Sequence, residues 1–159
     1  MPNQDWSINT GSGVAGDVYG LAFTNSQRFS YGIDVPMSAF GIGVQKGARS
    51  DTVTVGADAG VLLGITMRQN VTESATRPGN GTVNLVVGTV MGVMLDGPIQ
   101  VVLESPVVDG NIGVSAAGTF GGVDATHLAC TNVRALKFPA AIGDVIPVMV
   151  YMTPTAIAA

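Results

Sequence analysis

The chain offers one imidazole and one thiol, His127 and Cys130, three residues apart. That spacing can serve a metal, but a closed zinc site wants four ligands, this pair supplies two, and no second cluster exists to complete it. Cys130 therefore reads as a small hydrophobe beside a loop histidine, and a single cysteine forms no intrachain disulfide. A nucleophilic triad would need an activated serine at His127, and nothing in the spacing of Ser105 or Ser115 singles either out. The 11 carboxylates are Glu73, Glu104 and nine Asp. Asp17, Asp58, Asp96, Asp109 and Asp144 stand beside glycine or at segment ends, where Asp bonds its own backbone in turns. A glycosidase needs two carboxylates facing across an aromatic cleft, yet beyond residue 34 the aromatics are only Phe40, Phe120, Phe138 and Tyr151. Gly11-Ser12-Gly13 and Gly41-Ile42-Gly43 are followed by neither a helix signal nor a lysine, so neither cradles phosphate. No EF-hand spacing is present for calcium. The reading assigns no catalytic, cofactor-binding or metal-binding residue.

The elements that would position any site are set by an unusual composition. The chain has 159 residues, 22 Gly, a net charge of -4 and only 11% charged residues, less than half the common share. Seven Lys and Arg spread singly along an acidic chain cannot neutralise many phosphates, which argues against nucleic acid as a partner. The longest uncharged window, Pro78 to Leu95, is broken by Pro78, Asn80, Asn84 and glycines, so no transmembrane helix and no membrane partner are expected. The first residues have no basic stretch or apolar run of a secretory signal. With a mean hydropathy of +0.42 and so little charge, much weakly polar surface must be covered, which points to obligate assembly.

Residues 1–34 differ from the rest. They carry five of the nine aromatics, Trp6, Tyr19, Phe23, Phe29 and Tyr31, on a Gly-, Asn- and Ser-rich backbone with no sustained period. This reads as an extended N-terminal arm whose aromatics anchor it on a partner, or as an irregular layer folded back on its own domain. From residue 35 to 159 the signal is β. Ala39–Gln45, Thr52–Val55, Val61–Arg68, Val83–Leu95, Ile99–Glu104, Asn111–Val114 and Pro147–Tyr151 are short and Val-rich, with turn residues between them. The predicted fold is all-β, a jelly-roll-like sandwich or a barrel preceded by the arm. Asp96-Gly97 predicts a tight hairpin joining Val83–Leu95 to Pro98–Glu104. In that register Val87, Met91, Val93 and Val102 form a half-apolar outer face for a second subunit, a second sheet or the arm, or else the strand is buried on both sides within one subunit.

Three segments then carry a resemblance. They are Ala39-Phe40-Gly41-Ile42-Gly43-Val44 with Lys46-Gly47, Gly60-Val61-Leu62-Leu63-Gly64-Ile65-Thr66-Met67-Arg68, and Val107-Val108-Asp109-Gly110-Asn111-Ile112-Gly113-Val114 with Gly118-Thr119-Phe120. Taken in order, over roughly residues 35 to 152, the set resembles the structural cement, or capsid decoration, proteins of tailed bacteriophages. Asn111 stands where that pattern usually has Asp, and Gly81-Thr82 where a Tyr often opens the next strand. The resemblance implies a non-enzymatic protein without cofactors, made in the bacterial host cytoplasm. It would sit on the outer capsid surface of the virion as a homo-oligomer, a homotrimer in preference to a homodimer, and bridge neighbouring subunits of the major capsid protein. The rival reading is a carbohydrate-binding or adhesin-like β-sandwich module on a virion, for which most exposed-aromatic candidates lie in the arm.

Overall fold

A computed structural model describes residues 14–20, 26–69 and 83–152. Among them there is no helix, and nine strands are formed. These are β1 (Gln27–Ile33), β2 (Gly43–Lys46), β3 (Thr52–Val55), β4 (Gly64–Thr66), β5 (Val90–Val102), β6 (Asn111–Val114), β7 (Phe120–Gly121), β8 (Leu128–Ala135) and β9 (Val145–Val150). β1, β2 and β3 stop at Asp34, Gly47 and Gly56, turn formers that end each of them within seven residues.

Of the sandwich and barrel alternatives, the first strands close into a barrel. Their order is β1-β3-β2-β4-β5, and β5 pairs back onto β1. The β1–β3 contact is parallel and the other four pairings are antiparallel. Closure removes the exposed edges that a sheet of short strands would otherwise present. Ile33, Val44, Val53, Met91 and Val93 fill the interior, and Met37, Phe40, Val83 and Leu85 from the connecting segments complete this core.

The remaining strands run on from β5 in the order β9-β8-β6-β7. A parallel bridge from Leu103 to Phe120 brings the last strand back towards the end of β5. This second sheet surrounds its own core, which includes Ile99, Val101, Leu103, Ile112, Phe120, Ile146 and Val148. Ile65 and Met94, paired on the barrel wall, belong to that core as well and join the two halves.

The predicted hairpin is not formed. Val90–Val102 is one continuous strand whose first half pairs with β1 and β4 and whose second half pairs with β9. Asp96-Gly97 is the crossing point between the two sheets. Gly97 has φ +141°, and a Cβ there would lie 2.9 Å from the Cβ of Ser26 and 3.0 Å from the Sδ of Met94. The glycine is needed for a close approach along a bent strand rather than for a reversal. Pairing also slips beside it, since Gln27 faces Asp96 while Arg28 faces Met94. Met91 and Val93 therefore point into the barrel, whereas beyond the slip Ile99, Val101 and Leu103 point into the second core.

The stretch read as an arm contributes a barrel strand at its C-terminal end, since β1 lies within it. Upstream, Gly16 N–H donates to Gln100 O (2.8 Å), Gln100 N–H to Asp17 O (2.9 Å) and Tyr19 N–H to Pro98 O (3.1 Å), so this described segment lies along the free edge of β5 of its own chain. Arg68 adds an ion pair to Asp17 at 3.5 Å.

Candidate functional site

The two residues that could do chemistry face different surroundings. Cys130 is buried in the second core, where its thiol donates to Asn132 Oδ1 at 3.3 Å and desolvation pushes its pKa up. It behaves as the small hydrophobe the sequence suggested. His127 instead turns towards carboxylates. Its Nδ1 lies 3.1 and 3.2 Å from the two oxygens of Asp124, and its Nε2 lies 3.6 Å from Glu104 Oε2.

Local geometry sets this cluster. Asp124 caps the turn after it, accepting the backbone N–H of Thr126 and of His127 at 2.7 Å each. Those backbone donors, His127 first, hold the Asp124 carboxyl at about 2, well below its ordinary value. Glu104 lies just beyond β5, and its Oε2 accepts from the Thr119 hydroxyl at 2.6 Å, which in turn shares a 2.6 Å contact with Ser115 Oγ. Ser115 and Ser105 thus belong to the surrounding polar network, Ser105 through a bond to Asp124, rather than to a nucleophile–base pair. Among the described residues no three His, Cys, Asp or Glu converge so as to hold a metal ion. Other acids serve turns as expected: Asp109 accepts from both the backbone and the side chain of Asn111, and Asp34 accepts from Ala48 N–H and Thr52 Oγ1.

The surface is more informative than these groups. Val86, Val87 and Val90 at the start of β5 are each about three-fifths exposed. Val87 and Val90 border a groove on the barrel wall whose other lining includes Gly32, Ser30, Arg49 and Asp51. In the segments that connect the second sheet, Val108, Phe138 and Ile142 are also more than half exposed. Isolated exposed valines are ordinary, but Val87 and Val90 lining one groove beside exposed Val86 are the kind of apolar surface that a partner covers.

The residues singled out from sequence scatter. Trp6 and Phe23 lie outside the described residues. Tyr19 sits in the segment along β5, Phe29 is 58% exposed, and Phe29 and Tyr31 make a tilted ring contact at 5.1 Å, with Tyr31 packed on the barrel core. Val87 and Val102 are exposed, but Met91 and Val93 are fully buried inside the barrel. The single outer face drawn through these four does not exist, because it assumed the hairpin register. Val86, Val90, Val108 and Ile142 were not foreseen. Only the apolar pair Val86-Val87 before the Gly88 turn, where Gly88 has φ +87°, was a usable sequence signal.

With the geometry in hand, comparison with known proteins decides the family. The profile of the structural cement proteins (E217 gp24/Pam3 gp6) matches residues 1–152. The chain belongs to that family. No curated protein sequence matches it significantly. Among solved structures, the N base of the head fiber gp8.5 in bacteriophage phi29 is similar in fold. It aligns at a TM-score of 0.51 and 14% identity, covering 79% of this cement protein and 94% of the fiber base. A structural role in the virion follows from the family.

Proposed function

We propose that this cement protein binds the outer surface of a phage head, bridges neighbouring major capsid protein subunits and stabilises the shell without performing a reaction. The observation that carries the reading is the run of exposed valines, Val86, Val87 and Val90, the last two lining a groove on the closed barrel, in a chain of the cement family. A closed barrel holds such a surface in place at little entropic cost on docking. The aromatics Trp6, Tyr19, Phe23, Phe29 and Tyr31 are proposed as further anchors, since aromatic side chains supply much contact energy per residue ordered. Self-association into a homo-oligomer would cover other apolar positions such as Val102 and Ile142, both exposed.

A cement subunit acts by linkage. It binds the intact lattice and not the separated subunits, so it shifts the equilibrium towards the lattice, and many copies share the load. The test is thermal genome release from particles with and without the protein, together with the image of decorated capsids. Release at a higher temperature, with density spanning two capsid subunits, is the expected result. Equal release temperatures would favour the carbohydrate-binding or adhesin-like role instead.

A further inference from the structure

The barrel closes through β1, but the contact of β1 with β3 is short. Only Gly32 and Ile33 pair there, with Thr52 and Val53. Upstream of Thr52 the chain turns away towards β2, with Thr52 N–H donating to Arg49 O at 3.2 Å. Gly32 N–H donates to Asp51 O at 2.9 Å and Ile33 N–H to Thr89 O at 3.1 Å. Along β1 the even-numbered residues therefore turn their main-chain groups to the β3 side and the odd-numbered ones to β5. Arg28 and Ser30 thus present N–H and C=O groups on an edge that no described strand covers. Phe29 lies between them and is 58% exposed. We propose that a second copy of the chain docks on this edge, β1 against β1, antiparallel about a two-fold axis at Phe29. The inference names the contact behind the self-association proposed above and rests on that part of the reading alone.

The backbone selects the partner first. An open strand edge is completed by an extended main chain, and this edge is complementary to itself. With Phe29 facing Phe29 across the axis, Arg28 of one copy and Ser30 of the other exchange both main-chain bonds, and the axis repeats the exchange. Every open group of the edge is then used. The length fits as well: β1 begins at Gln27, which in this register faces Tyr31 of the second copy, one residue short of Gly32, where β3 takes over. Side chains agree with the backbone. Phe29 already contacts Tyr31 at a ring separation of 5.1 Å. The pairing sets the two Phe29 residues at a non-hydrogen-bonded position, with Cα atoms about 4.5 Å apart, and takes both rings out of water. Charge is matched too. Arg28 lies opposite Ser30 of the second copy, which lines a groove holding Asp34, Asp51 and Arg49, two carboxylates against one guanidinium.

The test uses the full chain without capsids, so its failure leaves the capsid-binding reading standing. Sedimentation equilibrium should show an even-numbered oligomer with a Kd below about 100 μM. Phe29→Asp sets two carboxylates together at the axis, and Ser30→Pro removes a donor from the open edge but none from the ladder to β5; each should weaken association about a hundredfold or more. Phe29→Cys should oxidise to a disulfide-linked pair, because residues facing each other at that position lie within disulfide reach. Gln27→Cys, about 13 Å from its counterpart in this register, should not. Cys130 is buried and does not compete. Should Phe29→Asp or Ser30→Pro fail to fold, the two cysteine variants decide. A monomer at about 100 μM, an odd-numbered oligomer, association that the folded variants leave unchanged, or equal cross-linking of the two cysteine variants overturns the proposal.

Discussion

Replacing Asn132 with alanine should loosen the joint between the barrel and the second sheet more than any exposed polar substitution. Asn132 is buried on β8, and its Nδ2 donates to Leu62 O at 2.8 Å and to Tyr151 O at 3.0 Å, while its Oδ1 accepts from Leu62 N–H at 3.0 Å. One side chain therefore satisfies both backbone groups of a residue 70 positions away, just before β4, and ties down the chain at the end of β9. Tyr151 is exposed, so water can replace its lost donor, but Leu62 is 2% exposed and its N–H and C=O would stay stranded. Each stranded buried group costs about 1–3 kcal/mol. Partial relaxation brings the sum for two to about 3 kcal/mol, and at about 2–4 °C per kcal/mol for a chain of this size the melting temperature should fall by roughly 6–12 °C. Calorimetry and urea unfolding of Asn132→Ala measure this directly. Thr131→Val is the control, because the Thr131 hydroxyl makes only an exposed 3.4 Å contact to Gly60 O and its loss should stay within about 0.5 kcal/mol. If Asn132→Ala lies as close to the parent protein as the control does, the joint is held by apolar packing and the hydrogen-bond reasoning is wrong.

Further outcomes follow from the same structure. Gly97→Val places a β-branched residue at φ +141° with its Cβ against Ser26 and Met94, and should cost about 1–3 kcal/mol or more by denaturant unfolding; unchanged stability would mean that β5 does not bend there. The folded-state pKa of Asp124 is lowered to about 2, and those of Asp34 and Asp109 are lowered too. Stability from these carboxylates is present in full above about pH 5, where the unfolded chain is also ionised, and is lost as pH falls through the folded values. Asp124→Asn should flatten the acid limb of the stability profile between about pH 4 and 2, and an acid limb of unchanged slope would remove Asp124 from the account. Val87→Asp with Val90→Asp, on an exposed face, should leave the melting temperature within about 2 °C while strongly reducing capsid occupancy; full occupancy would move the docking surface elsewhere. Parent occupancy should change little between about 0.05 and 0.5 M salt, since apolar contact is screened far less than charge.

The sequence by itself determined the class of this protein and much of its local structure. Strand-forming valines punctuated by turn residues require short β elements, and Thr52–Val55 and Asn111–Val114 form where that alternation placed them. The ordered small-residue segments identified the family, because they mark where backbones pack closely: a Cβ at Gly43 would press on Leu62 and one at Gly113 on His127. Leu128–Ala135 escaped notice, since its burial alternates irregularly and its polar Thr131 and Asn132 mask the pattern. Tertiary structure alone decided the path of β5. Asp-Gly suits a two-residue turn and a bent strand equally well in local terms, and the choice falls to partners far along the chain: Gln27–Gly32 on one side and Val145–Val150 on the other. The same holds for His127. Its neighbour Asp124 is three residues away, but Glu104 reaches Nε2 only because β7 folds back beside Leu103. Local spacing records which turns and strands a segment can adopt, whereas which surfaces stay exposed and which groups meet depends on closures between residues too distant for any period in the sequence to encode.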